Sequence, residues 1–506
     1  MRKRWQGAWG RRGGTAGSPG DVKQGDPRAS ERRAGGRARV VAKKRRNGRG
    51  AKAGQEEGSA MERPTEDAPS VVAARSTQGG DADAWKTAAE PAVWTERMLA
   101  ALENGVKGGK WYSLIDKVYD VKVLRAAWVR VEANAGAGGV DGVTIRNYGQ
   151  RLDDELGWLA GWLREDRYVP QPVRRAWIPK PGSQERRPLG IPAVRDRVVQ
   201  TALRMLLEPI FERQFAERSY GFRPGRGCKV ALREVDRLLR EGRAWVVDAD
   251  LKSYFDTIPQ DRLMARVEEK VADGRVLGLL HAYLRQRVLA GLKEWTPEAG
   301  TPQGAVISPL LANVYLNPLD QEMAAAGYAM VRYADDFVIL CRSREEAEAA
   351  LAHVRAWVAV AGLTLHPDKT RIVNEAQGEG FDFLGYHFQQ GHHWPRRKSL
   401  DRFKDAIRQQ TRRKQGRSMR AIIARLNPML RGWYGYFKHS NRSTFTELDG
   451  WTRHRLRTIL LKRRGISRWR LTHEDHRRWP VAFFQELGLF SLVTTHVQEC
   501  RSRCRA

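Results

Sequence analysis

An α+β fold is the expectation from three features of the chain. The first is an apolar run from Tyr328 to Leu340 interrupted by Arg332-Tyr333-Ala334-Asp335-Asp336, which reads as two strands joined by a tight turn at Ala334-Asp335. The second is a strand-like stretch, Trp245 to Leu251, that carries Asp248 and Asp250 near its end. The third is a set of helix-period segments flanking both. Residues 94–132 read as helical until the glycine-rich 136–142 breaks them. Residues 150–165 place Leu152, Leu156, Leu159 and Leu163 on one helix face, and residues 194–215 do the same with Val198, Ala202, Leu206 and Ile210. After Ser399 come three basic amphipathic helices near 400–414, 418–439 and 444–464. Ser399 and Ser418 are read as N-caps, and Thr444 with Glu447 as a capping box.

Two adjacent acids amid sheet residues are expensive unless a cation compensates them. If the strand from Ala244 neighbours the hairpin at Tyr333 in one sheet, then Asp250 and Asp335 can face each other and share divalent ions. Two ions roughly 3.5–4 Å apart are the arrangement for phosphoryl transfer, one activating the attacking hydroxyl and one steadying the leaving oxygen. Mg²⁺ suits such a site, because it takes hard oxygen ligands and leaves room for substrate phosphates.

Net charge is +32, unevenly spread. Residues 1–60 carry 17 Lys and Arg against 5 acids, and residues 391–506 carry 28 against 8. The intervening stretch is neutral, with 45 of each. Basic flanks on a neutral core bind polyanions through counterion release. A membrane-surface role lacks an apolar stripe beside the charges, and no run of about 18 apolar residues exists to span a bilayer. Residues 1–85 are rich in Gly, Arg and Ala with little apolar period, which predicts a disordered extension. Met61 is read as an alternative start. Asp21, Asp26 and Glu31 argue against a mitochondrial transit peptide. Four scattered cysteines and no secretory signal indicate a reducing compartment.

Tyr333-Ala334-Asp335-Asp336, with Asp250-Leu251-Lys252-Ser253-Tyr254-Phe255-Asp256 upstream, resembles the catalytic pair of a reverse transcriptase. Further blocks agree: Trp177–Gly182, Arg187–Pro192, Gly221–Arg226, Gly300–Gly304 with Ile307–Asn313, Gly362–Thr370, and Phe383–Tyr386. In this order, over about residues 139–388, they are specific, and the branch they most resemble is the group II intron reverse transcriptase, or maturase. The resemblance implies a right-hand polymerase, with fingers and palm built on antiparallel sheet and followed by an α-helical thumb/maturase domain. It implies a division into a basic extension at 1–85, fingers and palm at 86–388, a three-helix thumb/maturase domain at 389–465 and a basic DNA-binding appendage at 466–506.

The resemblance also implies roles. Asp250, Asp335 and Asp336 would be the catalytic acids and ligands of two Mg²⁺ ions. Phe255 would lie under the sugar of the incoming dNTP and exclude a 2′-hydroxyl. Lys180 and Arg187, on opposite arms of a Pro-Gly turn, would reach one triphosphate, with Gln303 and Lys369 as further dNTP contacts. Asp248 and Asp256 are read as supporting acids. In the block Arg431–Lys438, Arg431, Tyr434 and Lys438 would contact RNA, since rings stack on bases and cations meet phosphates, while Trp433 and Phe437 are assigned to the core.

Many relatives end in an endonuclease with paired Cys-x-x-Cys knuckles. Here the only tail cysteines are Cys500 and Cys504, and His473 with His476 is the only tight histidine pair, at the wrong spacing for that module, so the endonuclease-lacking type is expected. The implied partners are group II intron RNA, a DNA target and primer, and dNTPs, with no membrane, in the bacterial cytoplasm on the nucleoid. Two rivals remain: a splicing-only RNA-binding maturase, and a retron or defence-type reverse transcriptase. The intact acids count against the first, and the block at 426–438 against the second.

Overall fold

A computed structural model describes residues 88–179, 186–467 and 470–503. The readings that concern residues 1–85, Met61, Lys180 and Cys504 lie outside the described residues.

Among the described residues the architecture is α+β with three sheets. The segment expected to be one helical stretch over 94–132 is broken into α1 (Glu96–Asn104), α2 (Ile115–Val118) and α3 (Val121–Asn134). Thr95 caps α1 and Asp120 caps α3 through side-chain acceptance of backbone N–H groups, so the chain restarts rather than continues. Helices α4 (Leu152–Arg164) and α5 (Val194–Glu212) follow the expected apolar spacings. Most of α5 is buried, consistent with a helix surrounded by other elements rather than facing solvent on one side.

Strands β1 (Val173–Pro179) and β2 (Arg186–Ile191) form an antiparallel pair, with Ile178 opposite Arg187. They belong to a sheet of order β2-β1-β4-β5, completed by β4 (Val288–Ala290) and β5 (Lys293–Trp295). The central sheet has order β6-β7-β3-β8. Its members are β3 (Trp245–Asp250), β6 (Ala329–Tyr333), β7 (Asp336–Cys341) and β8 (Arg371–Asn374). The expected hairpin and the neighbouring acid-bearing strand are therefore both present, with β3 antiparallel to β7. Strand alternation divides the side chains between two cores. Val247, Ala249, Phe337 and Ile339 join the large helical core. Val246, Val338 and Leu340 join a second core with helix α6 (Cys228–Arg240) and strands β9 (Phe381–Phe383) and β10 (Tyr386–Gln389).

The C-terminal helices are α10 (Arg397–Gln410), α11 (Met419–Phe437) and α12 (Arg442–Arg463); α7 (Tyr254–Thr257), α8 (Ser308–Ala325) and α9 (Arg344–Val360) precede them. Ser418 caps α11, its side chain accepting from the Ala421 amide at 3.2 Å. Two other capping expectations are corrected. Helix α10 starts at Arg397, so Ser399 lies inside it and its hydroxyl donates to the Gly385 carbonyl. Helix α12 starts at Arg442 from Asn441, so Thr444 is within its first turn, and Glu447 pairs with Lys404 at 3.2 Å. The tail helices α13 (His473–Arg478), α14 (Val481–Glu486) and α15 (Leu492–Arg503) share one apolar core with α10 to α12 through Trp479, Phe484 and Leu492. Buried Asp449 of α12 accepts from the Leu492 and Val493 amides, tying down the start of α15. Among the described residues no helix is long and apolar enough to cross a membrane.

Candidate active site

The acid turn between β6 and β7 is held from several sides. Ala334 has φ +60°, a conformation a non-glycine residue adopts only under constraint. The constraint includes Arg332, fully buried, whose Nη1 donates to the Ala334 carbonyl at 2.9 Å and to Asn313 Oδ1 at 3.0 Å. The same guanidinium makes a forked ion pair with Asp320 of α8 and donates to Ser219 Oγ. On the other side, the segment before α6 runs against the turn: the Tyr220 amide donates to the Arg332 carbonyl at 2.9 Å. Gly221 is there because nothing larger fits. A Cβ at that position would sit 2.9 Å from the Tyr333 carbonyl carbon and 3.1 Å from Ala334 Cα.

Asp250 and Asp336 are register partners across β3 and β7, which puts their Cβ atoms about 4.5–5.5 Å apart. Asp248, two residues back on β3, shares their face. Burial pushes the Asp335 carboxyl above the usual range, and the Asp250 charge adds to it, while Arg187 and Lys369 pull it back. Asp336 is pushed up to about 7 by burial and by Asp248, Asp250 and Asp335. Asp248 is raised to about 6, chiefly by burial, despite Arg371 at 3.3 Å. Lys369 is ion-paired with Asp250. Among the described residues, no three acidic, His or Cys side chains already form a group that could hold an ion unaided. The carboxylates are hard oxygen donors, largely buried and mutually repelling, and Mg²⁺-type sites complete their coordination with water and substrate phosphate oxygens. The residues therefore fit a divalent ion.

Beside the acids, Phe255 on α7 packs edge-on against Phe222, 6.3 Å between ring centres, and Phe222 in turn approaches Tyr333 at 6.4 Å. The loop bearing Gln303 is stitched to both neighbours. The Thr301 amide donates to the Phe255 carbonyl at 2.7 Å, and the Gln303 carbonyl accepts from the Gly190 amide at 2.6 Å. Gln303 Nε2 donates to Asp256 Oδ2 at 2.8 Å. Burial raises the Asp256 carboxyl, and this hydrogen bond opposes the rise. Arg187 on β2 is exposed. The structure thus brings together Asp250, Asp335, Asp336, Arg187 and Lys369, with Phe255 and Gln303 on the adjoining wall.

The expected RNA contacts divide. Arg431 is exposed and lies over the Phe490 ring at 5.3 Å, and Lys438 pairs with Glu499 at 3.4 Å. Tyr434 is corrected: it is 4% exposed and packs between Phe445 and Phe490. The helical repeat explains why, since Leu426, Leu430, Tyr434 and Phe437 share the inward face of α11. Trp433 stacks on Phe403 at 4.5 Å, and Phe437 is buried, as expected of core residues. Sequence reasoning missed the roles of Arg332 and Gly221. A lone arginine inside the run Tyr328 to Leu340 was the available signal for the first.

Residues 178–388 match the family described as reverse transcriptase (RNA-dependent DNA polymerase), and residues 400–479 match the group II intron, maturase-specific domain. The chain is 38% identical over 289 residues to Protein YkfC of Escherichia coli (strain K12), covering 49% of this chain and 74% of that protein. It is 41% identical over 159 residues to the group II intron-encoded protein LtrA of Lactococcus lactis subsp. cremoris, covering 31% of this chain and 26% of LtrA. It is 30% identical over 209 residues to the putative COX1/OXI3 intron 1 protein of Saccharomyces cerevisiae, covering 41% of this chain and 25% of that one.

Proposed function

The chain belongs to the group II intron reverse transcriptase/maturase family and is an RNA-directed DNA polymerase, and from this we propose that it copies its parent intron RNA into DNA and assists that RNA's splicing. The observation that carries the catalytic part is the convergence of Asp250, Asp335 and Asp336 at the ends of paired strands β3 and β7, with Arg187 and Lys369 beside them.

Reverse transcriptases use divalent metal ions, and in this reading Asp250, Asp335 and Asp336 hold two Mg²⁺. When bound, such ions activate the primer 3′-hydroxyl and neutralise charge on the phosphates. Arg187 offers a planar fork to the triphosphate, and Lys180 a point charge. Phe255 lies under the sugar, where its ring leaves no room for a 2′-hydroxyl. Gln303, its side-chain amide anchored by Asp256, faces the same nucleotide. Lys369 balances Asp250 until substrate enters. The 3′-oxygen attacks the α-phosphorus, its bond to pyrophosphate breaks, and pyrophosphate leaves.

RNA binding draws on the 28 Lys and Arg of residues 391–506. Arg431 and Lys438 meet phosphates, while the intron supplies the chemistry of its own splicing. In this reading the fingers and palm span 86–388, the thumb/maturase domain spans 389–465, and the tail at 466–506 braces that domain and touches DNA. The protein works on the nucleoid, in the bacterial cytoplasm.

The test is primer extension on an RNA template with dNTPs and Mg²⁺. Wild type extends and Asp335→Ala does not; a folded wild type that fails to extend sinks the polymerase reading for this chain. Splicing rescue is expected to survive Asp335→Ala and to fail when Arg431 and Lys438 lose their charges. The opposite pattern would refute the binding-only account of splicing.

A further inference from the structure

A cavity of about 330 Å³ opens beside the nucleotide site, lined by Arg175, Trp177, Trp295, Phe255, Asp256 and Gln303 among others. Its roof is one face of the β2-β1-β4-β5 sheet. Arg175 and Trp177 alternate onto that face from β1, opposite Gly190 and Pro188 of β2, and Val173 packs against Gly190 where a side chain would otherwise stand. Trp295 closes it from β5, opposite Val288. Its floor is Phe255, Asp256 and Gln303.

Three observations ask for an occupant. Trp177 is 55% exposed and Trp295 42%, two large aromatic rings left in solvent around one hollow. Arg175 lies over the Trp295 ring at 5.4 Å, which fixes its guanidinium against the cavity wall. Arg175 Nε is nevertheless buried without a hydrogen-bond acceptor, a donor that a ligand would satisfy.

The chemistry of the wall selects the class. One cation and one anion, Arg175 and Asp256, offset each other, so the cavity does not favour a phosphate. Flat rings for stacking, with donors and acceptors together, fit the face and edge of a nucleobase.

Topology selects the strand. The inference rests on the polymerase reading: the primer ends at the acids, and Phe255 and Gln303 face the nucleotide being added. The only polymer continuing beyond that nascent pair is the template. We infer that this cavity takes the unpaired template base next to be copied, unstacked from the templating base and held between Trp295 and Trp177 with its edge toward Arg175.

The test uses the full chain with Mg²⁺, no dNTP, and duplexes whose template runs either one or two nucleotides past the primer end. Wild type is expected to bind the longer overhang about tenfold more tightly, the worth of one stacked base. 2-Aminopurine at the second unpaired position should be quenched on binding. Trp295→Ala removes an exposed ring, and Arg175→Gln removes the charge while keeping a donor; each is expected to abolish both the affinity gain and the quench. If either variant misfolds, the other decides. The inference is overturned if wild type shows no gain, or if a folded variant keeps it. Free adenosine at millimolar concentration serves as the second arm: if it restores the fluorescence by displacement, the occupant is a free nucleoside and the template assignment falls. Primer extension by the same wild-type preparation separates the two levels. Loss of extension indicts the polymerase reading, whereas extension without overhang preference indicts only the cavity.

Discussion

Gly221→Ala puts one methyl group against the acid turn, and the structure says how much that disturbs. The new Cβ would lie 2.9 Å from the Tyr333 carbonyl carbon, 3.1 Å from Ala334 Cα, and closer still to the Ala334 amide nitrogen. These are backbone atoms, so no side-chain rotation relieves the contact. Reaching van der Waals distance, ~3.5 Å between carbons, requires the turn to retreat by roughly half an ångström at Tyr333 and by more at Ala334. Arg332 opposes the retreat, because its guanidinium grips the Ala334 carbonyl from the α8 side. Overpacking of this kind costs about 1–3 kcal/mol, a drop in Tm of several degrees rather than loss of the fold. Activity should fall further than stability. Displacing reacting groups by about 1 Å costs on the order of a hundredfold in rate, and Asp335 is the residue next to the displaced Ala334. Single-turnover primer extension under saturating template–primer and dNTP measures the chemical step, with thermal unfolding as the control. A variant extending within about threefold of wild type would refute the claim that Gly221 sets the position of the acids.

Three other outcomes are expected. In the absence of divalent ions, Asp336 and Asp248 have folded-state pKa values near 7 and 6, raised from 3.8, so the folded protein holds these protons more tightly than the unfolded chain. Their contribution to stability is therefore greatest at acid pH and is lost as pH rises from about 4 through 7. Thermal unfolding in EDTA should show Tm falling between pH 5 and 8, and Mg²⁺ should raise Tm more at pH 8 than at pH 5; equal Mg²⁺ shifts at both would contradict the burial and mutual repulsion of the carboxylates described at the site. Arg332→Met leaves buried Asp320 uncompensated and should cost about 3–5 kcal/mol in denaturant unfolding, while Arg332→Lys keeps the charge but loses the fork and should lower the extension rate more than the stability. Phe255→Ala should raise ribonucleotide incorporation relative to deoxynucleotide by on the order of tenfold to a hundredfold, read by paired kcat/KM measurements; an unchanged ratio would mean that this ring does not sense the sugar.

What could be read from the sequence was what neighbouring residues decide. The hairpin at Ala334-Asp335 was legible because the apolar run from Tyr328 to Leu340 is broken only at the Arg332–Asp336 cluster, whereas the pairing of β3 with β7 stood as a condition on the shared cation site, which the register of the two strands meets. The α5 and α11 spans were legible from their apolar period and, for α11, from the Ser418 cap. Misreadings arose where a local signal met a tertiary competitor. Ser399 has the composition of an N-cap, yet its hydroxyl is taken by the Gly385 carbonyl, and the helix begins two residues earlier. Thr444 and Glu447 have the spacing of a capping box, but Asn441 starts the helix and Lys404, from α10, claims Glu447.

The aromatic block of α11 shows the same competition at the level of function. Aromatics interleaved with cations suggest a surface that binds RNA, but helical spacing alone cannot say which rings face inward. Tyr434 turns toward Phe445 and Phe490. The Tyr436 hydroxyl donates to the Leu384 carbonyl at 2.7 Å, and the Tyr386 hydroxyl donates back to the Tyr436 carbonyl at 2.8 Å. Leu384 itself sits at φ +48°, a backbone state that needs outside support. Tyr436 and Phe437 therefore fasten α11 to the β9–β10 turn and Tyr434 fastens it to Phe445 and Phe490, while Arg431 stays exposed and Lys438, half-buried, pairs with Glu499; these two charges are the proposed RNA contacts. One helix thus serves both proposed activities through different atoms. That is why removing charge from its surface should impair splicing, whereas disturbing its rings should impair splicing and polymerisation together.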